Sequence, residues 1–370
     1  MAKIRDFVKR EITLCAAFLA AVISCFFIPL DAAYLDYIDW RTLALLYCLM
    51  VVVAGLRSAG AFSLLSHVLC QKARSVRTMG VILVALCFFS AMLVTNDVAL
   101  LTFVPFAVVV LGLADQMKEL AWVVVLQTMA ANLGSMLTPV GNPQNLYLFS
   151  RYDMNIGQFF GATAPIWLLS AALIAGLCVL LLPKTELSVF LGEKPALDKK
   201  ALVVYLSLFI LCMLVVLRVL TWPVMLGVVL IALLVYEPRM LKQADFLLLV
   251  TFVCFFVFSG NLSRMDTVAS LLRRMLSGHE LLLGAGLSQV ISNVPAAILL
   301  SGFTENGRGL LLGVNIGGLG TPIASLASLI SLKLYSHAET SKSSHYMAKF
   351  LVANFGLLAV LLLVGSLLTQ

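Results

Sequence analysis

Two polar triplets interrupt stretches that are otherwise free of charge. Thr95-Asn96-Asp97 lies between the uncharged runs 78–94 and 98–114, and Ser292-Asn293-Val294 lies inside the uncharged run 281–303. An asparagine amide can give its oxygen to a cation while donating N–H to an anion, so Asn96 and Asn293 suit joint binding of sodium and a small anionic substrate. Asp97 is the sole acidic residue between Asp39 and Asp115. An ionisable side chain in an apolar segment is a functional candidate, and with no Lys or Arg in its own run Asp97 is expected to carry a proton or face a bound cation. Thr95 and Ser292 add hydroxyls. The competing reading is that all these residues only cap helices.

A third polar stretch, Ala131-Asn132-Leu133-Gly134-Ser135-Met136-Leu137-Thr138-Pro139-Val140-Gly141-Asn142-Pro143-Gln144-Asn145, sits in a run without charge from 120 to 150. Two prolines and two glycines forbid a continuous helix there, and freed backbone groups at bilayer depth cost several kcal/mol each unless they meet protein, water or ligand. A broken, polar helix in the membrane is therefore a binding-site candidate, with Thr138 and Asn142 as substrate contacts. Backbone carbonyls released near Gly134 and Gly141 are candidate sodium ligands.

Positioning such groups demands a membrane scaffold. Hydrophobic residues make up 62% of the 370 and charged residues only 12%, against about 25% charged in soluble domains. The expected fold is an all-α polytopic membrane protein with about nine spans and two re-entrant hairpins. The spans are expected near 12–30, 42–56, 120–150, 161–182, 201–217, 223–236, 246–260, 309–332 and 350–368. The first follows a basic end (Lys3, Arg5, Lys9, Arg10) but lacks a small-residue cleavage site, so it is expected to be a retained span and not a signal peptide. Segments 58–70 and 262–276 are too polar to span and are expected to be interfacial amphipathic helices. A cytoplasmic N-terminus and an extracytoplasmic C-terminus place most of the 25 Lys and Arg residues inside, in keeping with the positive-inside rule. The formal charge of +7 is thus explained by topology, and no nucleic-acid partner is expected.

The order of features occurs twice: span, amphipathic segment, hairpin with an Asn-bearing tip, broken span. Val314-Asn315-Ile316-Gly317-Gly318 to Thr321-Pro322 repeats Ala131-Asn132-Leu133-Gly134-Ser135 to Thr138-Pro139 at a constant offset of 183 residues. Gly317 and Gly320 are the matching candidate carbonyl sites. The charge topology starts one copy outside and the other inside, so the repeats are expected to be inverted, with a substrate site at the midplane. The expected division is 1–41 (first span and outer loop), 42–182 (first repeat), 183–245 (linker and two connecting spans) and 246–370 (second repeat).

Thr-Asn-Asp-Val-Ala at 95–99, Leu-Thr-Pro-Val-Gly-Asn-Pro-Gln-Asn at 137–145 and Gln-Val-Ile-Ser-Asn-Val-Pro at 289–295 resemble the ion transporter superfamily, specifically its citrate-transporter-like permeases. The superfamily also holds divalent-anion/sodium symporters, arsenite permeases and sodium/proton antiporters. The resemblance implies a scaffold and a transport domain, usually in a homodimer, working by an elevator mechanism. In the carboxylate symporters each tip reads Ser-Asn-Thr and holds sodium and a substrate carboxylate, with a Thr-Pro pair nearby. Carried over, Thr95, Asn96 and Asp97 form one tip, Ser292, Asn293 and Val294 the other, and Thr321-Pro322 the broken-helix contact. Asp97 and Val294 depart from the pattern and remove two hydroxyls that would hold a carboxylate.

The resulting expectation is a secondary active transporter of a small anion, a di- or tricarboxylate such as citrate, coupled to sodium or protons, without a further cofactor, in the plasma (bacterial inner) membrane. Arsenite or antimonite efflux and sodium/proton antiport are the alternatives within transport. An intramembrane hydrolase is disfavoured because no GxGD pair, zinc motif or facing Ser and His is seen; His279-Glu280 is followed at 283 by Leu283, so no HExxH exists. The eight cysteines are scattered through apolar segments and read as small core residues.

Overall fold

A computed structural model describes residues 11–187, 192–338 and 343–369. The basic residues Lys3, Arg5, Lys9 and Arg10 lie outside the described residues. The chain is almost wholly helical: α1 (Ile12–Cys25), α2 (Ala33–Asp36), α3 (Trp40–Ser58), α4 (Ala61–Cys70), α5 (Val76–Val94), α6 (Asn96–Leu113), α7 (Leu120–Gly134), α8 (Pro143–Arg151), α9 (Ile156–Leu181), α10 (Lys199–Val216), α11 (Trp222–Tyr236), α12 (Phe246–Ser263), α13 (Asp266–Leu276), α14 (Glu280–Ile291), α15 (Asn293–Ser301), α16 (Gly307–Ile316), α17 (Leu326–Ser336) and α18 (Ser343–Thr369). Among the described residues, eight segments are long and apolar enough to cross a bilayer. Helix starts are set by local acceptors: Asp39, Ser75, Asn155, Asp198 and Asp245 each take a backbone N–H of the first turn. These caps satisfy donors that apolar side chains cannot.

The broken helix is the centre. Of the window 120–137, 94% is buried, whereas the other seven candidate spans range from 22% to 61%; lipid therefore touches the others and not this one. Helix α7 packs against α5, α6, α9, α17 and α18. Outer helices keep lipid-facing apolar side chains, with Leu180 79% and Val235 82% exposed. A second core joins α1, α3, α10, α11 and α12 to α8 and α15.

Both hairpins form, but differently. The arms of the second, α14 and α15, have 12 and 9 residues, about 18 and 14 Å at 1.5 Å per residue, too short to cross about 30 Å of hydrocarbon. Its mouth is closed where Thr304 Oγ1 and Asn306 Nδ2 donate to the Glu280 carboxylate at 2.9 and 3.1 Å. The arms of the first, α5 and α6, have 19 and 18 residues and could each cross. They nevertheless turn inside the protein, because the Asn96 N–H reaches the Gly141 carbonyl in the break between α7 and α8, and α8 carries the chain about 13 Å beyond that break. The long arms arise from charge-free runs on both sides of the tip, which give no earlier point at which to leave the apolar phase. Other boundaries shift outward from the sequence expectation: α9 begins at Ile156, α18 at Ser343.

Loop contacts gather at two ends of the molecule. At one, Val76 and Arg77 donate backbone N–H to Thr185 and Pro183, and Asp198 donates to Ala59. At the other, Arg218 pairs with Asp153 at 2.7 Å, Arg264 with Asp31 at 2.7 Å, and Tyr152 donates to the Thr304 carbonyl at 3.0 Å.

Candidate functional site

Each hairpin turns at one non-glycine residue with left-handed backbone: Thr95 at φ 71° and Ser292 at φ 78°. Neither side chain caps the helix that follows, so the plain capping reading fails for both hydroxyls. Such a conformation is uncommon outside glycine and costs about 1–3 kcal/mol, so the surroundings must hold it. They do so in the same way twice. Thr138 Oγ1 donates to the carbonyl of Met92, three residues before the first tip, and Thr321 Oγ1 donates to that of Gln289, three before the second, at 2.9 Å in the latter case. Asn96 N–H reaches the carbonyl of Gly141 at 3.2 Å, and Ser292 Oγ that of Ala324 at 3.5 Å. Gly141 and Ala324 are 183 residues apart, as are Thr138 and Thr321.

Two buried asparagines join the repeats. Asn132 Oδ1 accepts from Asn96 Nδ2 at 3.0 Å and Ser325 Oγ at 2.9 Å, while its Nδ2 lies 3.3 Å from the Gly318 carbonyl and 3.4 Å from Ser328 Oγ. Asn315 Oδ1 accepts from Asn142 Nδ2 at 3.0 Å, and its own Nδ2 donates to Asn145 Oδ1 at 2.6 Å and to Leu311. At the offset of 183, Asn132 corresponds to Asn315, Asn142 to Ser325 and Asn145 to Ser328. Each asparagine thus reaches the far half of the other copy's broken helix. Asn145 Nδ2 also lies within 3.3 Å of the carbonyls of Ser135, Met136 and Thr138, satisfying the backbone that the prolines and glycines free.

Three of the four expected carbonyls accept from protein donors. Gly134 O accepts from Trp167 Nε1, Gly141 O from Asn96 N–H, and Gly317 O from Gln289 Nε2. Gly320, at φ 100°, turns the chain beside the Gln289 amide, and Pro322 opens the short turn that follows. Gln289 was not foreseen as a site residue. Its Nε2 is shared among the carbonyls of Ala285, Gly317 and Leu319, while its Oε1 takes the N–H of Thr321 at 2.8 Å. The signal lay in its position, a long polar side chain in an uncharged helix three residues before the tip.

Two side chains remain uncommitted. Asn293 is 4% exposed and has no side-chain hydrogen bond among the described residues; a Cβ added to Gly318 would lie 3.0 Å from its Nδ2 and 3.9 Å from Asn132 Cγ, so both amides converge on that glycine. Asp97 Oδ1 is buried with no partner.

The citrate transporter family profile matches residues 4–305. The chain belongs to this family. It is 32% identical over 298 residues to an uncharacterized transporter of Methanocaldococcus jannaschii, covering 80% of this chain and 81% of that one. It is 30% identical over 317 residues to the inner membrane protein YbiR of Escherichia coli K12, covering 84% of each. A shorter match, 31% over 154 residues, covers 41% of this chain and 31% of the silicon efflux transporter LSI3 of Oryza sativa subsp. japonica. This citrate transporter family member is a membrane transporter and not an enzyme. Its departures at Asp97 and Val294 leave one tip with a free carboxylate and the other with an apolar third position, partly buried.

Proposed function

We propose that the protein is a secondary active transporter of a small anion, a di- or tricarboxylate or a similar oxyanion, coupled to sodium or protons bound at Asp97. The observation that carries this reading is the buried, unpartnered Oδ1 of Asp97. An ionised carboxylate about 4 Å from an anionic substrate costs about 4 kcal/mol even at an effective dielectric of about 20. Transport of an anion past it therefore requires a cation at Asp97, which is a coupling device. Asn293 and Asn96 are the substrate contacts, with the N-termini of α6 and α15 directing positive dipoles to the same region.

The paired contacts at offset 183 support repeats of opposite orientation, related by an axis in the membrane plane. On this reading alternating access is elevator-like displacement of the hairpins and broken helices against α1, α3, α10, α11 and α12, in a homodimer in the bacterial inner membrane. A second reading, export of an uncharged weak oxyacid, is favoured by the likeness of part of the chain to a silicon efflux transporter.

Counterflow in proteoliposomes separates them. Preloaded citrate, succinate, arsenite, silicate or sodium is tested for exchange with labelled substrate, with and without a sodium or pH gradient. Exchange of carboxylates alone supports the first reading, exchange of arsenite or silicate alone the second, and exchange of sodium for protons without any of these substrates overturns both.

A further inference from the structure

A cleft of about 400 Å³ lies at the end of the molecule where α5 and α7 begin and α9 ends, and no residue of either tip lines it. Three cations line it from separate segments: Arg77 in the first turn of α5, Lys118 in the α6–α7 connection, and Lys349 in the second turn of α18. One carboxylate, Glu119, opposes them. Trp122 and the end of α9, Leu180 to Pro183, form the remaining wall.

Arg77 and Lys349 are held in place without pairing to acids. Arg77 Nε donates to the Leu182 carbonyl at 2.8 Å, which fixes its guanidinium at the rim and leaves its terminal N–H groups for a ligand. Lys349 Nζ lies 5.0 Å from the Trp122 ring centre, a cation–π contact that takes none of its N–H donors. Neither forms a salt bridge among the described residues. The apolar side of the cleft continues onto the lipid-facing flank of α9, where Leu180 is 79% and Val179 53% exposed.

We infer that this cleft binds a phosphate group, with an anionic phospholipid as the source its shape favours. Cations convergent on a three-dimensional anion, at the level where helices leave the membrane, match a headgroup phosphate; the exposed α9 flank offers a track for its acyl chain. Because the cleft draws on the first hairpin, the broken helix, α9 and α18, occupancy ties the same ends of four elements together.

The test uses the purified full-length protein, delipidated in detergent, with thermal unfolding and native mass spectrometry as readouts. Phosphatidylglycerol, phosphatidylcholine and inorganic phosphate are titrated separately. Phosphatidylglycerol should raise the melting temperature and persist as a bound adduct where phosphatidylcholine does not. In Lys118→Gln/Lys349→Gln its apparent affinity should fall roughly 25-fold, about fivefold for each basic residue removed near the surface. Lys349→Arg should retain binding, and Lys118→Gln alone provides the weaker case should the double variant fold poorly. An equal response of the wild type to inorganic phosphate, lost in the same variants, assigns the cleft to a soluble phosphate. Equal affinity for phosphatidylglycerol in wild type and variants, or no preference over phosphatidylcholine and no phosphate response, overturns the proposal.

Discussion

Asp97 and Asn132 are both polar and central, yet the structure uses them oppositely. Asn132 engages four neighbours, so Asn132→Ala strands Asn96 Nδ2, Ser325 Oγ and the Gly318 carbonyl. Each stranded buried group costs about 1–3 kcal/mol, and a marked drop in melting temperature is expected. Asn293→Ala removes no protein hydrogen bond, so stability should hold while substrate affinity falls about 10- to 150-fold, the equivalent of about 1.5–3 kcal/mol. Thermal unfolding and counterflow on both variants check this; a destabilised or fully active Asn293→Ala refutes the assignment. Asp97→Asn is isosteric and uncharged, so it should fold and lose its response to the coupling ion. Uptake that keeps its wild-type rate, pH dependence and sodium dependence would reduce Asp97 to a structural residue. The sequence exposed Asn96, Asp97 and Asn293 because polarity is conspicuous in an uncharged run. It did not distinguish free polar side chains from engaged ones: Thr138, Asn142 and Thr321 are committed to holding the tips and the break, which depends on contacts from 32 to 173 residues away.

At the level of elements, glycine determines how closely the first hairpin meets the broken helix. A Cβ at Gly134 would lie 2.0 Å from the Phe88 carbonyl oxygen, and one at Gly141 would lie 2.0 Å from that of Ser135. Both obstacles are backbone and cannot swing away. Gly134→Ala should therefore push α5 away from the break and Gly141→Ala should distort the break itself, each destabilising by about 1–3 kcal/mol or more. Gly161→Ala, with nothing within 4 Å of the added carbon, should be neutral or slightly stabilising by its better helix propensity. Melting temperatures of the three variants in one detergent provide the comparison, and equal values would show that the close approach is dispensable. Helix positions were largely readable, since charge-free runs and capping residues fix where helices enter and leave the apolar phase. The arm lengths of the first hairpin were not, because no charge marks the depth at which it turns.

At the level of the molecule, loop contacts assemble two opposite ends, and the Lys- and Arg-rich connections around 72–77 and 184–200 join at one of them. In a background with Cys15 and Cys25 replaced by Ser, cysteines at Thr185 and Arg239 should react with impermeant maleimide from the cytoplasm only, and one at Ser277 from outside only. Labelling of Thr185 and Arg239 from outside would invert the proposed orientation. The exchange of hydrogen bonds by Asn132 and Asn315 also bears on biogenesis. Each copy satisfies the backbone of its own break, but the amides of Asn132, Asn142 and Asn145 complete their hydrogen bonds across the copies, so the first must wait in the bilayer until α16 and α17 are made. At about 5–20 residues per second, that wait lasts roughly 10–40 s. During it, Asn132 Nδ2 and Asn145 Oδ1 face lipid, water or an insertion chaperone in place of their final partners. Quality control of this protein should accordingly act on nascent chains that stall between the copies, and separately expressed halves should survive proteolysis only when made together.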